Sequence, residues 1–120
     1  MKYLKLSIFL LLVVFTISSC EKDYLIPEGE VPDWLKEKIA QDEKEMEENP
    51  QSGLDIAAWI RYKYKNRYYF EYHNLLMSSM PPVYDHDGAI VIFNQESYQE
   101  YNNDKCCKEF VWKGPSYIEY

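Results

Sequence analysis

The sequence predicts an α+β fold in which one N-terminal helix packs on a four- to five-stranded antiparallel sheet. Three observations carry this. Leu35, Ile39 and Met46 recur at a helical spacing behind Pro32-Asp33; residues 60–72 alternate with a period of two; and turn residues such as Asp87-Gly88 separate short apolar runs.

The helix opens at Val31-Pro32-Asp33-Trp34-Leu35. Proline is tolerated in a first turn because its missing N–H has no partner there, and Asp33 complements the positive end of the helix dipole. Asn49-Pro50 stops it, since the residue before proline is driven out of the helical region. It is acidic toward its far end, through Asp42, Glu43, Glu45, Glu47 and Glu48, which opposes the helix dipole and offers few apolar contacts, so fraying of its last turns is expected.

Beyond the turn at Pro50–Gly53, Ile60, Tyr62 and Tyr64 alternate with Arg61, Lys63 and Lys65, and Tyr68, Phe70 and Tyr72 alternate with Tyr69, Glu71 and His73. A three-residue loop at Lys65-Asn66-Arg67 pairs Tyr64 with Tyr68, Tyr62 with Phe70 and Ile60 with Tyr72, and sets Arg61 opposite Glu71 on an outer face. A two-residue loop sets Ile60 opposite Glu71, so the longer loop is expected. Val83 to Phe93 reads as strand, Asp87-Gly88 turn and strand, with Ala89 to Phe93 apolar throughout, as in a central strand covered on both faces. Gln95 to Asn103 suits a short helix or loop. Phe110-Val111-Trp112 returns to the sheet, Gly114-Pro115 breaks it, and Tyr117 to Tyr120 forms an edge strand or hangs free.

Ahead of this domain, Lys2 and Lys5 precede the apolar run Ile8 to Phe15, which has the length of a signal h-region and is short for a membrane span. The run ends in Ile17-Ser18-Ser19-Cys20, which resembles a lipobox. That resemblance implies acylation of the Cys20 thiol and cleavage between Ser19 and Cys20. Two or three acyl chains then hold the mature chain on a bilayer without spanning it. The expected organisation is a signal peptide over residues 1–19, a lipidated tether over 20–30 and one small domain over 31–120. Glu21 after the cysteine is compatible with release to the outer membrane, so a cell-envelope lipoprotein is expected.

The 120 residues carry a formal net charge of -7. Removing residues 1–19 takes away two lysines and no acid, which leaves -9. Such a chain disfavours nucleic acid, which needs clustered Lys or Arg to displace counterions.

The Pro-x-Trp-Leu helix start, the tyrosine-rich run Tyr62 to Phe70 and the turn Tyr84-Asp85-His86-Asp87-Gly88, in that order behind a lipobox, resemble small uncharacterised lipoproteins of Bacteroidota. The resemblance covers most of residues 31–93 and implies an envelope location, but no activity.

No residues are spaced for nucleophilic catalysis or paired acid–base work, so the chain is read as non-enzymatic and without cofactor. Asp85-His86-Asp87-Gly88 opens like a calcium loop but lacks the terminal bidentate Glu, which favours a hairpin turn. His73, His86, Cys106 and Cys107 have no zinc-ligand spacing, so no metal is expected. Cys106-Cys107 is a candidate vicinal disulfide, read either as an incidental bridge or thiol pair or as a redox switch. Tyr69, Tyr98, Tyr101, Tyr117 and Tyr120 exceed the needs of one sheet face. The functional expectation is a non-catalytic interaction or accessory module, held on the bilayer through Cys20 and open to a protein or glycan partner. The alternatives are glycan binding through these tyrosines and an inhibitor or redox-sensing module built on the cysteines.

Overall fold

A computed structural model describes residues 24–119. The N-terminal helix packs against a four-stranded antiparallel sheet, in the α+β arrangement the sequence predicts. Helix α1 spans Asp33–Glu48 and is followed by strands β1 (Ala57–Tyr64), β2 (Arg67–Asn74) and β3 (Val83–Tyr84). Helix α2 (Gln95–Asp104) and strand β4 (Cys106–Lys113) complete it, and the sheet order is β3-β2-β1-β4.

Pro32 caps α1 without a side-chain bond, its carbonyl accepting from the Leu35 and Lys36 amides at 3.0 Å. The buried stripe of the helix is Leu35, Ile39 and Asp42, with Met46 packed beside it. Ala57, Trp59, Phe70, Val111 and Trp112 receive it from the sheet. Trp59 is the centre of this core, its ring meeting Trp34, Tyr72 and Tyr84 at centroid distances of 5.2–6.0 Å. Truncating a buried tryptophan of this kind costs about 3–5 kcal/mol.

The hairpin differs from the expected one. Its loop has two residues, Lys65 and Asn66, at φ 50 and 62, the positive pair that defines a type I′ turn. Tyr64 pairs with Arg67, Tyr62 with Tyr69, Arg61 with Phe70 and Ile60 with Glu71. The register that set Ile60 opposite a carboxylate is the one adopted, because Glu71 is buried with its charge compensated (below). The faces are accordingly recombined: Trp59, Arg61, Phe70 and Tyr72 lie toward α1, and Ile60, Tyr62, Tyr69 and Glu71 lie on the opposite face, where Tyr101 of α2 covers them. The expected outer face is thus a second interior, and Arg61 is 3% exposed.

Three further expectations are corrected. Ala89 to Phe93 is not a central strand: beyond the bridge of Ile90 to Tyr84 and the bond from the Val91 amide to the Val83 carbonyl, it leaves the sheet, and Ile92 is 90% exposed. The central strand is β1, whose first five residues are buried. Second, the turn before this segment is held by Asp85 rather than Asp87: Asp85 Oδ1 accepts from the amides of Asp87 and Ala89 at 2.9 and 3.0 Å. Third, part of the expected tether belongs to the fold. Leu25 donates its amide to the Val111 carbonyl at 2.9 Å, Ile26 and Val31 are buried in the core, and Glu28–Glu30 forms a 3-10 turn.

Helix α2 is short and polar, and it is closed by a capping box in which the Ser97 amide donates to Asn94 Oδ1 at 2.7 Å while the Asn94 amide donates to Ser97 Oγ at 3.0 Å. At the other end of the sheet Gly114 is buried, its amide donating to the Ala57 carbonyl at 2.8 Å, and a Cβ there would lie 2.4 Å from the Asp55 carbonyl oxygen. The segment Tyr117 to Glu119 forms no strand.

Backbone cannot yield cheaply at that contact, so Gly114→Ala is expected to cost about 2 kcal/mol or more and to lower Tm by roughly 8 °C or more. Gly29→Ala, which meets nothing within 4 Å, is the control and leaves Tm unchanged in the same thermal melt.

Candidate functional site

Glu71, on the α2 face of β2, is 1% exposed. Its carboxylate is held from three elements. Tyr101 of α2 donates its hydroxyl to Oε2 at 2.6 Å, Lys105 at the join of α2 and β4 places Nζ 2.8 Å from the same oxygen, and His73 Nε2 lies 2.8 Å from Oε1. Tyr62 completes the cluster, with Lys105 Nζ 4.1 Å from its ring centroid. Strand alternation puts His73 beside Glu71 on one face, and the helix C-terminus delivers Tyr101 and Lys105 four residues apart.

Burial alone would push the Glu71 carboxyl up, but the bonds from His73, Lys105 and Tyr101 outweigh it and hold the group below the ordinary carboxylate range. Burial and the adjacent carboxylate drive the Tyr101 hydroxyl far above its ordinary range, and burial with Glu71 pushes Tyr62 up to about 12. Both tyrosines therefore stay neutral, Tyr101 as a fixed donor. No buried side-chain nitrogen or oxygen among the described residues lacks a hydrogen-bond partner.

The α1 face carries two buried charged groups of its own. Arg61 donates from Nη2 and Nε to Glu109 Oε1 at 2.7 and 3.2 Å and from Nη1 to Glu30 Oε1 at 3.1 Å, with its guanidinium 4.1 Å from the Tyr68 ring centroid. It ties the N-terminal segment and β4 to the central strand. Asp42 accepts from Trp59 Nε1 at 3.4 Å, and burial pushes its pKa up, with the indole bond and Lys38 opposing.

Cys106 and Cys107 are exposed at the start of β4, where their sulfurs form a vicinal disulfide with a Cα–Cα distance of 3.7 Å. Arg61 pairs with Glu109 and Lys63 with Cys106, so β4 advances three residues where β1 advances two. The extra residue makes a bulge, and Cys107 at φ 66 occupies the left-handed position that such bulges usually give to glycine. A non-glycine residue in that conformation costs roughly 1–2 kcal/mol.

The remaining candidates are placed as follows. Tyr69 and Tyr101 pack edge to face with Tyr64 and each other, Tyr98 packs on Phe93, and Tyr117 on Phe110. Tyr120, Ser19 and Cys20 lie outside the described residues. His73 and His86 do not meet the cysteines, and among the described residues no three metal-ligating side chains converge. An open cleft of about 640 Å³ lies at the β1–β2 turn, lined among others by Arg67, Tyr68, Asp85, His86 and Asp87. The Glu71 cluster was missed from sequence. Its only signal was the weak one of an acid between two aromatic residues in a strand, with a Tyr and a Lys four apart downstream.

No family model, curated protein or solved structure matches this chain. Its class is defined by its own geometry, a small α+β domain with the buried charged groups Arg61, Asp42 and Glu71 engaged by side-chain hydrogen bonds.

Two outcomes test these assignments. A carboxyl held low in the folded state contributes stability above its unfolded pKa, near 4.5, that is lost as pH falls through the folded value. Urea titrations between pH 6 and pH 2 should therefore show the native chain losing more stability than Glu71→Gln. Asp42 has the opposite sign, because its raised pKa means that its charged form opposes folding at neutral pH. Asp42→Asn should match or exceed the native stability at pH 7, whereas Asp42→Ala, which strips the acceptor from Trp59, should cost about 1–3 kcal/mol.

Proposed function

We propose that this chain is a cell-envelope lipoprotein, anchored through Cys20 in the outer membrane, whose domain is a non-catalytic interaction or accessory module with a protein partner. The observation that carries the reading is the lipobox Ile17-Ser18-Ser19-Cys20 followed so closely by a docked backbone. Leu25 is hydrogen-bonded to β4 only five residues after the cysteine. Five residues span at most about 18 Å, so an acylated Cys20 brings the β4 edge of the domain close to the lipid headgroups.

Two further features support an interaction role. The buried carboxylate of Glu71 is engaged internally, by His73, Tyr101 and Lys105. Most of the large exposed apolar side chains, Leu75, Leu76, Met77, Met80, Ile90 and Ile92, fall between β2 and α2, in and around the segment that forms the β3 edge, across the sheet from the docked Leu25. Apolar loops held away from an anchoring edge suit a protein partner. The glycan reading draws less support, because four of the five surplus tyrosines are packed on aromatic neighbours.

Membrane fractions washed in high salt should retain the native chain, with an intact mass of residues 20–120 plus acyl groups. Cys20→Ala should be released or should accumulate unprocessed. A Cys20→Ala chain that stays on the membrane at mature size would refute the anchor.

A further inference from the structure

We infer that Cys106 and Cys107 form a thiol–disulfide exchange site whose reduction loosens the junction between β4 and α2. The inference goes beyond the interaction-module reading and shares with it only the oxidising compartment. Four observations meet at this junction. Both cysteines are exposed and open to an attacking thiolate. They sit in a one-residue bulge on an edge strand, where Cys107 is held at φ 66 although it is not a glycine. The residue before them, Lys105, binds the buried carboxylate of Glu71, and Glu109, two residues beyond Cys107, binds the buried Arg61. The eight-membered ring of a vicinal disulfide is thus placed between the two ion pairs that fasten β4 to the rest of the fold, and it constrains the backbone that links them.

The chemistry is a two-electron exchange with a dithiol, such as the cysteine pair of a thiol–disulfide oxidoreductase. A donor thiolate attacks one sulfur of the bridge, forming a mixed disulfide as the Cys106–Cys107 bond breaks and the released thiolate takes up a proton. The second donor thiolate then displaces the remaining cysteine, which is protonated in turn. The donor leaves as its own disulfide, and the chain gains two electrons and two protons. Freed from the ring, Cys107 is no longer held in the left-handed region, and the bulge relaxes. A change of pairing by one residue reverses side-chain direction along a strand, so relaxation here moves Lys105 off Glu71 and releases the C-terminal end of α2.

The test uses the membrane-extracted full chain, alkylated with and without dithiothreitol, followed by intact mass, peptide mapping and hydrogen exchange. Without reductant, Cys106 and Cys107 should resist alkylation, and after dithiothreitol each should take one alkyl group. Exchange over residues 95–110 should then rise at least fivefold, while residues 57–74 stay unchanged. Cys107→Gly, which adopts the same backbone conformation without the ring, should keep the slow exchange of the oxidised chain in both conditions, and Cys107→Ala should exchange like the reduced chain. Free thiols before reduction would overturn the inference, and so would a bridge that opens with no change in exchange or a Cys107→Gly chain that exchanges fast. Alkylation at Cys20 reports separately: it would contradict the lipid anchor and leave the exchange site standing.

Discussion

The rest of this structure depends on buried charge held in pairs. The sheet has two covered faces, and each covering element buries few residues completely. Helix α1 buries only Leu35, Ile39 and Asp42, and α2 buries only Tyr101. Each face also holds an ionised group on a central strand, paired across elements of the fold. Glu71 draws Tyr101 and Lys105 onto the α2 face, and Arg61 draws Glu30 and Glu109 onto the α1 face. A buried ion pair is weak evidence of net stability, because desolvation offsets much of its attraction, but removing one partner leaves a charge that is costly to bury alone. The arrangement thus fixes which elements cover the sheet and in what register more firmly than it adds to overall stability.

The element order and the main features of the fold were legible in the sequence because they follow from local patterns. The Leu35-Ile39-Met46 spacing, the stop at Asn49-Pro50 and the alternation over residues 60–72 each translate directly into geometry. What misled were the residues whose polarity contradicts their position. Arg61 and Glu71 read as an outer face because a charge normally seeks water, and only tertiary partners from distant parts of the chain reverse that. The same assumption led to the longer hairpin loop, since it kept Ile60 away from a carboxylate. Ala89 to Phe93 failed in the opposite sense, as an apolar run of strand length whose Ile92 stands in solvent. Asp42 was grouped with the acidic, weakly packed end of α1, although its spacing of three from Ile39 placed it on the buried stripe.

The candidate site was legible in part. Adjacent cysteines are visible in any reading of the sequence, whereas the bulge that holds Cys107 in the left-handed region depends on how β4 aligns with β1. The tyrosine surplus is resolved by the second covered face, which takes up Tyr69 and Tyr101 and needs more aromatic surface than one sheet face would. Strand β4 carries the cysteine pair at one end, bonds Leu25 near the other and supplies Glu109 to Arg61 between them, with Lys105 on Glu71 just ahead of its first residue. The polar fastening of both faces thus converges on residues 105–113, while the exposed apolar loops lie across the sheet.

A double-mutant cycle on Glu71 and Lys105 tests this account most directly, with Glu71→Gln, Lys105→Met and the double variant compared by urea denaturation at pH 7. If buried charge pairing fastens α2 and β4 to the sheet, the double change costs less than the sum of the two single changes, by about 1 kcal/mol or more. Costs that add to within about 0.3 kcal/mol would contradict it, and the second face would then be held by aromatic packing alone.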